Sequence, residues 1–157
     1  MKKPRIALCA LAVLLVLAGG LFILYRTTAA RPPALYVNGV RIVGAGFSWR
    51  TPLKSMEADS LHPVDIAYGE EHKIVASMGD ALKLRNKLPW LGARQRAQVT
   101  LYEMDSKNCY ASWPLASRPA LEEGYADPGS YYMEIMVEYR SLFASGTAHY
   151  GVILIIE

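Results

Sequence analysis

Residues 6–25 read Ile-Ala-Leu-Cys-Ala-Leu-Ala-Val-Leu-Leu-Val-Leu-Ala-Gly-Gly-Leu-Phe-Ile-Leu-Tyr and hold no charged side chain. About 20 apolar residues in a helix reach about 30 Å, the hydrocarbon thickness of a bilayer. Each Leu, Ile, Val or Phe favours insertion by about 0.3–0.6 kcal/mol at a helix centre. A helix also satisfies its own backbone in lipid. The run therefore predicts a transmembrane helix over 6–25. It leaves a cytoplasmic stub at 1–5, a spacer at 26–33 around Pro32-Pro33, and one exported domain at 34–157.

The flanks set the orientation. Lys2, Lys3 and Arg5 precede the run, and Arg26 and Arg31 follow it. The positive-inside bias places the N-terminus in the cytoplasm and the domain outside, with Tyr25 at the outer interface. The alternative is a signal peptide cleaved near Ala30, after the small residues Thr28-Ala29-Ala30. The run is longer than the usual signal core of about 7–15 residues, so the uncleaved anchor is the main expectation. Both readings export the domain.

The charge balance removes one class of partner. The chain has 17 Lys and Arg against 14 Asp and Glu. Without Lys2, Lys3, Arg5 and Arg26, residues 31–157 carry 13 against 14. The basic excess belongs to the flanks of the apolar run, and nucleic acid is excluded as an expected partner. Of the two cysteines, Cys9 lies in the run and Cys109 in the domain, so the domain holds no disulfide of its own. Cys109 is expected to be buried and inert, with pairing to another chain as the sharper alternative.

The domain reads as β almost throughout. Apolar residues in 35–37 and 40–43 flank Asn38-Gly39, the strongest short hairpin signal. Phe47-Ser48-Trp49 follow a Gly44-Ala45-Gly46 break. Residues 51–63 read as a loop with one helical turn at 55–58, and residues 64–68 as a short strand. Further strands are expected at 72–77, 81–85, 95–104 and 109–113. The clearest element is a closing hairpin. Tyr131, Met133, Ile135, Val137 and Tyr139 line one face, and the partner strand runs over 148–156. Short strands between Gly, Pro and Asn turns predict an antiparallel β-sandwich.

Asp127-Pro128-Gly129-Ser130-Tyr131 resembles the tyrosine corner of immunoglobulin-like domains, in which the Tyr hydroxyl ties back to nearby backbone. Met133 stands where the family's Cys would be, so the resemblance is to bacterial sandwiches without the disulfide. The fold class expected is thus all-β, an Ig-like antiparallel sandwich preceded by one transmembrane helix. A second pattern is Gly46-Phe47-Ser48-Trp49, then Glu57-Ala58-Asp59-Ser60-Leu61-His62-Pro63. It resembles uncharacterised small exported or membrane-anchored proteins of Gram-positive bacteria, with Phe47 in place of their usual Tyr. That resemblance implies fold and location and carries no activity.

Three groups of residues are candidates for function. The loop holding Glu57, Asp59, Ser60, His62 and Asp65 is dense in polar groups. Asp59, His62 and Asp65 are types that ligate metals, and Ser60 with a His and an acid is the stuff of a hydrolase. Neither has a recognised spacing, and a structural loop is the main expectation, with no metal and no cofactor. Lys83, Arg85, Lys87, Arg94 and Arg96 form a basic group suited to anionic lipid or an anionic wall polymer. Trp90 and Trp113, each beside a proline, are expected to be exposed and to suit a carbohydrate platform. Trp49, Tyr131 and Tyr139 belong to the core, and His72 and His149 to surface or half-buried strand positions instead of a ligand set. The functional expectation is a non-enzymatic binding or interaction module on a single-pass membrane protein. It meets the bilayer through 6–25 and a protein partner at the cell surface. A carbohydrate-binding module and a hydrolase are the alternatives.

Overall fold

The computed structural model describes all residues except 1–2, 28–30, 53, 87–93, 117–119, 123–125 and 142–143. Helix α1 runs Lys3–Thr27, and ten strands follow among the described residues. Among the described residues no helix is long and apolar enough to cross a membrane. This corrects the expected transmembrane helix over 6–25. The side chains described in α1 are those of residues 9–23. Within that stretch Leu14, Leu15 and Val16 are 65–73% exposed.

The β region is a sandwich of two sheets. The smaller has β1 (Leu35–Val37) between β2 (Val40–Arg41) and β6 (Leu84–Asn86). Its hairpin turns at Asn38-Gly39 as expected, with both residues at positive φ, 49° and 89°. That is the geometry of the hairpin turn that follows strand twist. The larger sheet has the order β4 (Ser55–Ala58), β3 (Val43–Arg50), β10 (Ser145–Ile156), β9 (Gly129–Arg140), β7 (Arg94–Glu103), β8 (Cys109–Pro114). A further strand, β5 (Lys73–Ala76), pairs with β10 in parallel beyond the end of β3. The first half of β10 pairs with β3 on that edge, and its last residues pair with β5.

Alternation explains the core. On β9, Tyr131, Met133, Ile135, Val137 and Tyr139 are buried while the residues between them are partly exposed. On β10, Ala148, Tyr150, Val152, Leu154 and Ile156 face the same side. Leu35 and Val37 of the smaller sheet, and Ile42 between β2 and β3, meet them in one continuous cluster. Trp49 is 1% exposed and packs edge-on against Tyr139, ring centres 5.5 Å apart.

Several expectations change. Residues 55–58 form strand β4 instead of a helical turn, paired Ser48↔Glu57 and Trp49↔Met56 with β3. Residues 64–68 are no strand: a 3-10 turn, Pro63–Asp65, opens the segment. Its His62 cap and the proline at its first position set the local dihedrals before any ladder can form. The strand expected over 81–85 shifts to β6, and Ala81 keeps only an isolated bridge to Ala120. Cys109 is exposed, not buried, at the start of the edge strand β8.

Candidate functional site

The outward face of the larger sheet carries a polar cluster beneath the segment of residues 59–68. Register builds it. Glu134 lies between Thr100 of β7 and Gly151 of β10, and His149 lies between Met136 of β9 and Gly46 of β3. The two are diagonal neighbours, and His149 Nδ1 meets Glu134 Oε1 at 2.8 Å. The other carboxylate oxygen, Oε2, accepts from the Tyr102 hydroxyl at 3.1 Å. Burial first, and then the Glu134 charge, push the Tyr102 hydroxyl up to about 12.

Two glycines let the overlying segment come down onto the sheet. A Cβ on Gly46 would collide with Ser60 Cα and lie 2.6 Å from Ser60 Oγ. A Cβ on Gly151 would collide with the Tyr68 hydroxyl. Leu61 N–H donates to the Ala45 carbonyl at 2.9 Å, which ties the backbone of the segment to β3. Tyr68 donates to the Pro63 carbonyl at 2.8 Å and stacks on Tyr132. Its hydroxyl is held well above the ordinary tyrosine range by burial first, then by Tyr132 and Glu134. His62 packs edge-on against Tyr102, ring centres 4.7 Å apart.

A cleft of about 400 Å³ opens beside this cluster. Arg31, Arg41, Phe47, Asp59, His149 and Tyr150 are among its lining residues. The stretch Gly44–Phe47 and the strap of residues 31–34 also line it. Tyr150 donates to the Pro33 carbonyl at 2.7 Å, which fixes that strap against the sandwich. Behind the cleft, Tyr150 and Tyr139 share a hydrogen bond at 3.2 Å, and Asn86 donates to Tyr139 at 3.3 Å. Burial raises both phenols above their ordinary value.

The residues singled out in the sequence fare unevenly. Asp59 lines the cleft, and Ser60 stands over Gly46 beside His149. Glu57 instead accepts from Ser48 at 3.3 Å across the β3–β4 pair. His62 Nδ1 accepts from the Val64 N–H at 3.5 Å as a cap, the structural role expected of it. Among the described residues no three His, Cys, Asp or Glu side chains gather as metal ligands, so Asp59, His62 and Asp65 do not form a ligand set. Trp113 is corrected outright: it is 4% exposed and lies in the core, facing inward opposite Val99. It cannot serve as a sugar platform. Trp90 and Lys87 lie outside the described residues.

The basic group divides between the sheets. Lys83 and Arg85 stand at the smaller one and line a separate hollow beside the Asn38-Gly39 turn. Arg94 and Arg96 are exposed at the start of β7. His72 and His149 are half-buried as expected, although His72 closes a 3-10 turn, Glu70–His72, and not a strand. Its Nδ1 meets the Arg41 carbonyl at 2.9 Å.

The Glu134–His149–Tyr102 cluster escaped sequence reading, although its signal was there. Glu134 and His149 both sit on the outward positions of the closing hairpin, and the hairpin's register makes them neighbours. Comparison with protein-family models, with curated proteins and with solved structures finds no match for this chain.

Proposed function

We propose that this chain is a non-catalytic binding module that receives its ligand in the cleft lined by Arg31, Arg41, Phe47, Asp59 and His149. The cleft is the observation that carries the reading. It combines an aromatic wall, a carboxylate, an imidazole and two guanidiniums around a volume of about 400 Å³, within the range of small-molecule sites. Such a set suits a polar ligand of the size of one or two sugar units. The resemblance to exported Gram-positive proteins supports a place at the outer surface of the cell membrane. The exposed apolar side chains of residues 11–23 give it an affinity for lipid there. The Tyr131–Asp127 hydrogen bond supports kinship with immunoglobulin-like sandwiches.

One observation favours a second reading, a hydrolase. His149 presents Nδ1 to Glu134, as the base of a catalytic triad presents it to its acid, and Ser60 stands over the neighbouring Gly46. Against it, among the described residues no hydrogen bond joins Ser60 to His149, and Glu134 is shared with Tyr102. The test is a thermal-shift and calorimetric screen of soluble envelope saccharides against the wild-type chain, Phe47→Ala and Asp59→Asn. Binding that is lost in both variants supports the module. Turnover of a nitrophenyl ester or glycoside that disappears in Ser60→Ala would replace it with the hydrolase. A wild-type chain that does neither overturns the cleft as a site.

A further inference from the structure

One row of side chains crosses the outward face of the larger sheet, at the end where β3 and β9 finish and β7 and β10 begin. Register places Ser55, Arg50, Ser145, Arg140 and Arg94 in line, on β4, β3, β10, β9 and β7 in turn. All five are exposed. The row therefore holds three guanidiniums, two hydroxyls and no acid. Adjacent strands lie about 4.8 Å apart, so it is about 19 Å long.

Such a row works against the fold. Arg94 is paired directly with Arg140, and like charges opposite each other across strands are destabilising. Relief would come from carboxylates, but among the described residues none lies within ion-pair distance of Arg50, Arg94 or Arg140. From Arg50 to Arg94 is three inter-strand steps, about 15 Å along which the row itself holds no acid. That is a surface suited to meet an anion.

The next outward row tells which anion. It reads Glu57, Ser48, Thr147, Glu138 and Arg96 on the same strands. Two carboxylates there repel a broad negative plane such as a charged membrane, which would cover both rows at once. A thin chain lying along the first row meets the guanidiniums and hydroxyls and avoids the acids. We propose that this row binds a linear polyanion, a polymer with a phosphate or similar group at each repeat, laid across the strands. Arg50, Arg140 and Arg94 take the anionic groups, because a guanidinium fork matches two phosphate oxygens at once. Ser55 and Ser145 donate between them. The site is separate from the cleft and does not rest on it.

The test titrates inorganic polyphosphate into the full chain at low and moderate salt. Wild type is expected to bind, with an affinity that falls steeply as salt rises. Arg94→Gln with Arg140→Gln is expected to weaken binding about tenfold or more and to flatten the salt dependence by about one unit of slope per arginine removed. Glu138→Gln in the adjoining row is expected to tighten it. Lys83→Gln with Arg85→Gln, on the other sheet, serves as the charge-matched control and is expected to change it little. Melting curves are run on every variant, and the double arginine variant is expected to be at least as stable as wild type. No polyphosphate binding by wild type overturns the proposal, as does an equal loss in the control pair. Tight binding to phosphatidylglycerol vesicles without polyphosphate binding overturns it in favour of a membrane surface.

Discussion

Tyr131 donates its hydroxyl to the backbone carbonyl of Asp127, four residues upstream, at 3.1 Å. The bond clamps the chain where it enters β9, the strand between β10 and β7 in the larger sheet. The Tyr131 ring also packs against Tyr110 of β8, ring centres 5.2 Å apart, and Tyr110 donates to the Asp127 carboxylate. One aspartate thus receives two tyrosines, one on its backbone and one on its side chain.

Removing only the hydroxyl isolates the clamp. Tyr131→Phe keeps the buried ring and deletes the bond, and it is expected to cost about 1 kcal/mol, the net worth of a typical hydrogen bond. Urea unfolding followed by tryptophan fluorescence measures it. A midpoint unchanged from wild type would show that the corner contributes nothing to stability.

The glycine seats differ in what they meet. At Gly46 the obstacle is the backbone of Ser60, whereas at Gly151 it is the end of the Tyr68 side chain. Gly46→Ala must displace the overlying segment and is expected to cost about 1–3 kcal/mol, as overpacking does. Gly151→Ala is expected to cost less, because a flexible side chain can turn aside. Thermal melts of both variants decide it, and the reverse order of cost refutes the seating.

The larger sheet was legible where periodicity and turn chemistry agreed, and so was the hairpin of the smaller one. Asn38-Gly39, the alternation of β9 and the Tyr131 corner all follow from local rules, and all are found. Legibility failed where tertiary pairing decided. Residues 55–58 become a strand because β3 offers them an edge. Trp113 looked like a loop residue beside Pro114, but β8 pairs with β7 and turns the indole into the core. The site shows the same division. Asp59 and Ser60 could be named from composition, but the nearness of Ser60 to His149 depends on Gly46 being that histidine's cross-strand partner. Glu134 and the arginine row depend wholly on register between strands.

Cys109 offers a direct check on exposure. It is free and exposed at the start of β8, so it is expected to react with a thiol reagent without unfolding. Comparing the native chain with Cys109→Ser by thiol titration assigns the reaction. Equal thiol titration of the two native chains, with a difference that appears only in denaturant, would place the Cys109 thiol in the interior.

The tyrosines predict how the fold responds to alkali. Tyr68, Tyr102, Tyr139 and Tyr150 all have hydroxyls raised above the ordinary value of 10.0, with burial the largest cause for each. Well below pH 10.0 each is protonated in both folded and unfolded chains, so these groups add no pH dependence there. Above it, the unfolded chain loses the phenolic protons first, while the folded chain keeps them. The unfolded state then binds fewer protons, and stability falls as pH rises, progressively from about 10 through about 12 where Tyr102 titrates. Melting temperature followed from about pH 8 to about pH 12 is expected to fall on the alkaline side, beginning near pH 10. In Tyr102→Phe, whose ring stays beside His62 while the phenol is gone, the fall is expected to be shallower. An alkaline limb identical in slope to wild type would mean that the Tyr102 hydroxyl does not hold its proton against Glu134.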